Sequence, residues 1–360
     1  MKQYLLSFAS LAVLALAASC NKENDLVQKT EVSAGTPVTL SLEVTAPLTR
    51  ATTADSADEA RVETVDFFVF RPGEGTSYVV EAYKRISSGT STSLTLTQGE
   101  RKFCAVVNAP ATADYSSITT LSQLQQQVVL LPTQLTNRYT MYGINTTTVS
   151  AGTASVSIPV NRRAARIKID KITNKIDHAG LAAQSLSLTR LFLINVAGST
   201  LVDGIQTSKI WYAATAVGDA LSKTPGSTAE GQEKSQTNKL IYNKLASPYT
   251  LAANASYTTA HQFYTFPENT AGKRTCLVVE MKIGSAFYTY PVILDFDIAG
   301  NTSYEIRELQ ITRPGNPSDG DDNITPDEGE PIRRITIDDV NISVQDWTLE
   351  LLGSNGTVVL

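Results

Sequence analysis

Histidine and cysteine are scarce in this 360-residue chain: there are two of the first, His178 and His261, and three of the second, Cys20, Cys104 and Cys276. The two histidines sit in loop-like contexts and lack the spacing of a zinc pair, and neither a nucleophile elbow nor a phosphate-cradling glycine loop occurs. A pair of carboxylates could still hydrolyse glycosides, but the expectation is a protein that is not an enzyme and holds no cofactor or metal. Runs of basic residues are missing too. Lys and Arg total 30 against 35 Asp and Glu, a net charge of −5, which becomes −6 without residues 1–19 because Lys2 goes with them. Such a chain has no electrostatic footprint for nucleic acid or anionic lipid. Cys104 and Cys276 lie in apolar strand-like runs in different halves (KFCAVV and TCLVVEM), so buried, inert thiols are expected in place of a disulfide. A second long hydrophobic run is also absent, so any lasting membrane attachment is expected through Cys20.

Hydrophobic residues make up 42% and charged residues 18%, enough apolar material for sizeable cores and too little charge for wholesale disorder. The length suits two domains of ordinary size. Residues 1–19 read as a signal peptide, with Lys2 followed by the apolar stretch Leu5–Ala18. That stretch is short for a bilayer span. Ala17-Ala18-Ser19-Cys20 resembles a bacterial lipoprotein box in which the cysteine receives lipid, although Ala17 stands where Leu is usual. The polar Asn21–Asp25 behind it is similar to the surface-export tails of some Gram-negative lipoproteins. An ordinary signal peptide followed by a chance cysteine is the alternative.

The next stretch, TPVTLSLEVTAPLTR from Thr36 to Arg50, alternates Val38, Leu40, Leu42 and Val44 with Thr39, Ser41 and Glu43. A period of two predicts a half-buried strand. Pro47 stops it, and Arg50 opens the polar run ATTADSADEA. A strand between an anchor and an exposed basic residue can be cut loose; a first strand followed by an ordinary loop is the plain alternative. Strands are then expected at Thr64–Phe70, Tyr78–Ile86, Ser93–Leu96, Arg101–Asn108, Met141–Val149 and Ala154–Val160, separated by turn residues. One helix interrupts them. Thr120 and Gln123 can form a capping box, Leu121, Leu124 and Val128 share a face, and Pro132 marks the end. About seven strands with one late helix are compatible with a transthyretin-like sandwich. From Asn161 the pattern restarts, with Ala165–Ile172 and Leu186–Val196. Residues 203–262 carry little periodicity and are expected to be long loops with short helical pieces. Strands return at Cys276–Ile283, Ala286–Asp297, Tyr304–Ile311 and Ile332–Leu351.

Two further clusters invite a ligand. Asp319, Asp321, Asn323, Asp327 and Glu330 fall at calcium-loop positions, but Ile324 takes the place that demands glycine, and Pro317 and Pro331 replace the flanking helices. A solvated acidic loop is the better reading. Tyr242, Tyr249, Tyr257 and Tyr264, with Trp211, could stack on sugar, although aromatics in such a region more often pin loops to a core.

Taken together, several motifs resemble the fimbrillin family, the major fimbrial subunits of donor-strand pili in Gram-negative anaerobes. They are the lipoprotein box, the strand ending in Thr49-Arg50, and Ala105-Val106-Val107-Asn108-Ala109. Met141-Tyr142-Gly143, Asn161-Arg162-Arg163-Ala164-Ala165-Arg166-Ile167 and Phe263–Asn269 follow. Tyr290-Pro291-Val292, Gly300-Asn301-Thr302-Ser303-Tyr304-Glu305-Ile306 and Val344-Gln345-Asp346-Trp347 complete the set. The resemblance implies an all-β protein of two transthyretin-like sandwiches in tandem. It also implies export as a lipoprotein and an extracellular Arg-specific protease that removes the first strand, whose groove then accepts a strand from a neighbouring subunit.

The expected organisation is a signal peptide at 1–19, a lipidated flexible segment at 20–35, a first sandwich at 36–160 with 36–50 removable, and a second at 161–360 ending in a donor tail at 348–360. The cut is expected between Arg50 and Ala51; Arg61 is the alternative, while Arg71 precedes Pro72 and is poor. Leu349, Leu351, Val358 and Leu360 are the donor residues. The 13 residues after Trp347 (360 − 347) reach roughly 43–47 Å when extended. Partners are other fimbrial subunits in a homopolymer with tip and anchor subunits, the protease, host or bacterial surface ligands, and, before cleavage, the outer membrane through lipid at Cys20. The fibre itself would be extracellular. The stalk role is preferred over a tip or anchor subunit; a glycan-binding surface lipoprotein is the reading of a different class.

Overall fold

The computed structural model describes residues 37–45, 59, 61–110, 113–134, 138–177, 179–182, 184–206, 211–212, 240–269, 274–318, 333–335, 342–345, 347–351 and 357–360. The chain is all β with short helices. Its first part runs β1 (Pro37–Thr45), β2 (Val65–Pro72), β3 (Tyr78–Ile86), β4 (Ser91–Thr97), β5 (Gly99–Val107), α1 (Leu121–Gln125), β6 (Val128–Leu130), β7 (Met141–Val149), β8 (Ser155–Pro159) and β9 (Asn161–Arg162). The middle runs β10 (Ala165–Ile169), β11 (Ile172–Asn174), α2 (Ala179–Ala182), β12 (Leu186–Ile194), β13 (Val196–Ala197), β14 (Ser199–Leu201), β15 (Trp211–Tyr212), β16 (Tyr242–Leu251), β17 (Ser256–Tyr257) and β18 (His261–Thr265). The last part runs β19 (Cys276–Ile283), β20 (Ala286–Leu294), β21 (Thr302–Ile306), β22 (Glu308–Ile311), β23 (Asn316–Ser318), β24 (Arg333–Ile335), β25 (Ile342–Gln345), β26 (Trp347–Leu351) and β27 (Thr357–Val359).

Strands up to Arg162 pair almost wholly among themselves. A front sheet of order β4-β1-β8 faces a back sheet of order β3-β2-β5-β7-β9. One apolar core fills the space between them, from Val38, Leu40, Leu42, Val44, Leu94, Leu96, Val156 and Ile158 in front to Val65, Phe67, Val69, Phe103 and Ala105 behind. The two sheets explain two sequence patterns. β1 is wetted on one side and alternates, whereas Val65–Phe70 is buried at every position because the back sheet is covered on both faces. Its second face, with Phe68, Phe70, Cys104 and Val106, belongs to a core that continues into the rest of the chain.

Strands from Ala165 onward form a sheet of order β16-β12-β19-β20-β23, with β24 also on β20, and two sheets of order β18-β10-β21-β26-β25 and β17-β11-β22-β27. The expected single strands Ala165–Ile172 and Tyr304–Ile311 are each broken once, at residues 170–171 and at Arg307. They run parallel, side by side, so both break at the same level. The two groups are joined directly by β6 and β14, which pair Ser199 with Leu130 and Leu201 with Val128.

Three expectations need correction. The helix keeps its capping box and buries Leu121 and Leu124, but it ends at Gln125. Val128 is exposed in β6, because pairing with β14 captures the chain that the helix would have continued into. The region 203–262 is not all loop: Tyr242–Leu251 is a ten-residue strand with a largely exposed outer face. It lacks the alternation that would announce a strand and contains Pro248, and pairing along β12 holds it in place. His261 opens β18 and is buried, not in a loop.

Candidate strand groove and the junction beside it

β1 is the middle strand of the front sheet. It runs antiparallel to β4, with Val38 opposite Leu96 and Leu40 opposite Leu94, and parallel to β8, with Leu42 opposite Val156 and Val44 opposite Ile158. Its four apolar side chains are almost completely buried, whereas Pro37, Thr39, Glu43 and Thr45 are exposed. Backbone bonds hold it along its length, including Ser41 N–H to the Ala154 carbonyl (2.9 Å) and Val44 N–H to the Thr90 carbonyl (2.9 Å). On the wet side the contacts are weaker: Thr39 and Thr95 share a hydroxyl contact of 3.0 Å, and Thr45 and Ser157 one of 3.3 Å.

β4 and β8 are not paired with each other. Without β1, each would present a bare strand edge, and the floor of Phe67, Val69, Phe103 and Ala105 would meet water. Four buried aliphatic side chains at about 1.5–3 kcal/mol each bound the gain from refilling that groove at about 6–12 kcal/mol.

Downstream of β1 the next described residue is Glu59, which is only 3% exposed. Its carboxylate pairs with Arg166 Nη1 at 3.0 Å and accepts from the Tyr264 hydroxyl at 2.5 Å; its carbonyl accepts from Arg162 Nε at 2.9 Å. Arg166 also donates to Ser303 Oγ (2.9 Å), and Arg162 to Asn301 Oδ1 (3.2 Å). Tyr264 lies against Tyr139, ring centres 4.8 Å apart. Burial pushes both phenols above their usual range, so both stay neutral.

Next to this cluster, Asn108 adopts a positive φ of 53° and turns its amide onto the chain entering β2. Its Nδ2 donates to the Arg61 carbonyl (2.7 Å) and the Tyr139 carbonyl (3.2 Å), and its Oδ1 accepts from the Glu63 N–H (2.9 Å). Asn108, Arg162, Arg166, Tyr264, Asn301 and Ser303 come from four of the short motifs noted in the sequence. The structure collects them around Glu59, a residue that sequence reasoning passed over inside a polar run. Its glutamate identity alone carried no signal; only the partners reveal it.

Of the proposed site residues, Cys20, Arg50 and Ala51 lie outside the described residues, as does the acidic segment 319–330. The tail is not free. β26 runs parallel to β21, with Leu349 opposite Ser303 and Leu351 opposite Glu305, and β25 turns back on it. β27 continues along β22, with Val358 opposite Leu309. Val358 and Leu360 are buried, and Leu360 exchanges backbone bonds with Gln310 (2.7 Å) and Thr312 (2.8 Å). The unpaired edge of β21–β22 explains the docking: an extended segment nearby satisfies it.

Among the described side chains the aromatic set makes no sugar-stacking face. Tyr242, Tyr257 and Tyr264 are interior and only Tyr249 is exposed, at 46%; for Trp211 the strand alone is described. Both interior thiols are free and buried, and burial pushes the Cys104 thiol up to about 12 and that of Cys276 higher still. Among the described residues no group of three or more His, Cys, Asp or Glu is arranged to hold a metal ion.

This all-β architecture is a fold shared with a fimbrilin and with candidate cell adhesion proteins of known structure. No protein-family model matches the sequence, and no curated protein is significantly similar to it. Among solved structures, a candidate cell adhesion protein from Bacteroides eggerthii is 18% identical with a TM-score of 0.57, covering 83% of this chain and 92% of that one. A fimbrilin from Porphyromonas gingivalis is 12% identical with a TM-score of 0.55, covering 90% of this chain and 98% of that one. A candidate cell adhesion protein from Parabacteroides distasonis is 15% identical with a TM-score of 0.54, over 84% of this chain and 94% of that one. At these identities the likeness is one of fold.

Proposed function

We propose that the chain is a stalk-type structural subunit of a surface fimbria, made as a lipoprotein precursor. It would be attached to the outer membrane by lipid on Cys20, cut between Arg50 and Ala51 by an Arg-specific protease, and polymerised by strand exchange between two transthyretin-like domains of adjacent subunits. The observation that carries this reading is the position of β1. It is an inserted middle strand whose two neighbours have no pairing of their own, and its four apolar side chains fill the front sheet's core.

The tail would leave its own edge to act as donor. There it buries Val358 and Leu360, worth about 3–6 kcal/mol at most, against four pockets in the vacated groove worth about 6–12. Leaving also releases β26 from β21, and entry trades a one-sided edge for a groove gripped on both sides; loss of the cut strand gives the process its direction. Fibres of this kind would support adhesion through other fimbrial subunits and through host or bacterial surface ligands.

The test is assembly of purified precursor by an Arg-specific protease, followed by electron microscopy. Wild-type protein should form fibres and Arg50→Ala should remain a folded monomer. Normal fibres from Arg50→Ala would remove the release step from this reading. A Cys20→Ala variant should accumulate unlipidated and fail to reach the cell surface.

A further inference from the structure

We propose that Glu59 and Asn108 act as a stop that shields Arg61 from Arg-specific proteolysis and confines processing to the chain before Glu59; the inference rests on the processing step proposed above. Arg61 looks vulnerable at first. Its side chain is 52% exposed and paired with Glu63 at 3.1 Å. An Arg-specific protease, however, needs more than the guanidinium. It must draw the residues on both sides of the scissile bond into its cleft in an extended form, and the backbone here is not available.

The carbonyl that would be attacked is Arg61's own, and it accepts from Asn108 Nδ2 at 2.7 Å. Two residues downstream, the Glu63 N–H is bound to the same amide at 2.9 Å, and β2 starts at Val65. Two residues upstream, Glu59 is buried and held by Arg166, Tyr264 and Arg162. Holding the chain at 59, 61 and 63 leaves no freedom to present the bond between Arg61 and Val62. The same clamp keeps the new end after a cut at Arg50 attached to the junction of the two strand groups. Removal of β1 thus leaves the chain entering β2 anchored.

Full-length protein treated with an Arg-specific endoprotease, with fragments followed over time by N-terminal sequencing and intact mass, tests this. Wild type should give no fragment beginning at Val62. Glu59→Ala and Asn108→Gly, the latter keeping the positive φ, should each yield that fragment at least about tenfold faster. Cuts at Arg85 and Arg101, inside β3 and β5, report global unfolding; if Glu59→Ala shows them, Glu59→Gln carries the test, since it loses the charge pair and keeps an acceptor. A Val62 fragment from wild type, or an intact Arg61 in the folded variants, overturns the proposal. Absence of a fragment beginning at Ala51 counts against the processing step alone.

Discussion

At the scale of single residues, the short motifs that look arbitrary in sequence have geometric reasons. A Cβ on Gly143 would stand 2.0 Å from the carbonyl oxygen of Pro159, a backbone atom that cannot swing aside. Gly143→Ala should therefore cost about 1–3 kcal/mol, seen as a lowered midpoint in thermal unfolding; an unchanged midpoint would show that β7 and β8 can separate freely. His261 is the second case. It sits between Tyr257 Oη (3.2 Å) and Asn243 Nδ2 (2.9 Å), and burial lowers its pKa from 6.5 to about 4. The unfolded chain takes up a proton below pH 6.5 and the folded chain does not until about pH 4. Stability contributed by neutral His261 is thus present at pH 7, falls as pH drops from 6.5 to 4, and is lost below. The loss is on the order of 3 kcal/mol. Urea unfolding at pH 7 and pH 4.5 should show a clearly smaller difference for His261→Gln than for wild type.

At the scale of elements, β1 is the strand to perturb. A synthetic peptide of residues 36–50 added in excess should compete for the emptied groove and slow fibre growth of processed subunits, whereas a peptide with Leu40 and Leu42 both replaced by Asp should not. Equal inhibition by the two would mean that the four apolar pockets do not choose the occupant. β1 was legible in the sequence because one of its faces is wet and its alternation is undisturbed. β3, β7 and β19 were legible to the residue for a related reason: turn residues bracket each of them. Tyr242–Leu251 was not legible, because this edge strand has no alternation of apolar and polar residues and carries Pro248, which reads as a loop signal; only the pairing partner distinguishes it. The helix was half legible. Its start is chemical, a capping box written in Thr120 and Gln123, but its end is decided by β14, more than seventy residues away in the chain. Glu59 was not legible at all, since its neighbours in space come from Arg162, Arg166 and Tyr264.

At the scale of the whole molecule, the proposed exchange gives the tail a second address besides its own β21–β22 edge, and deletion of Gly353–Leu360 separates the two. The monomer should stay folded but melt lower, having lost the buried Val358 and Leu360. After processing it should still accept an intact neighbour's tail and then end the fibre, so mixtures should grow shorter fibres as its share rises. Long fibres from the truncated protein alone would mean that another segment is the donor. The position of β1 also has a mechanical consequence. A strand there is gripped along both edges, antiparallel on β4 and parallel on β8. A pull along its axis loads both ladders in shear at once, so the bonds share the load and none can open ahead of the rest; a pull across the axis would open them one after another. A filament joined through this slot would hold under drag and part, when it does, in one abrupt rupture, while an enzyme cutting the connecting chain needs no force at all.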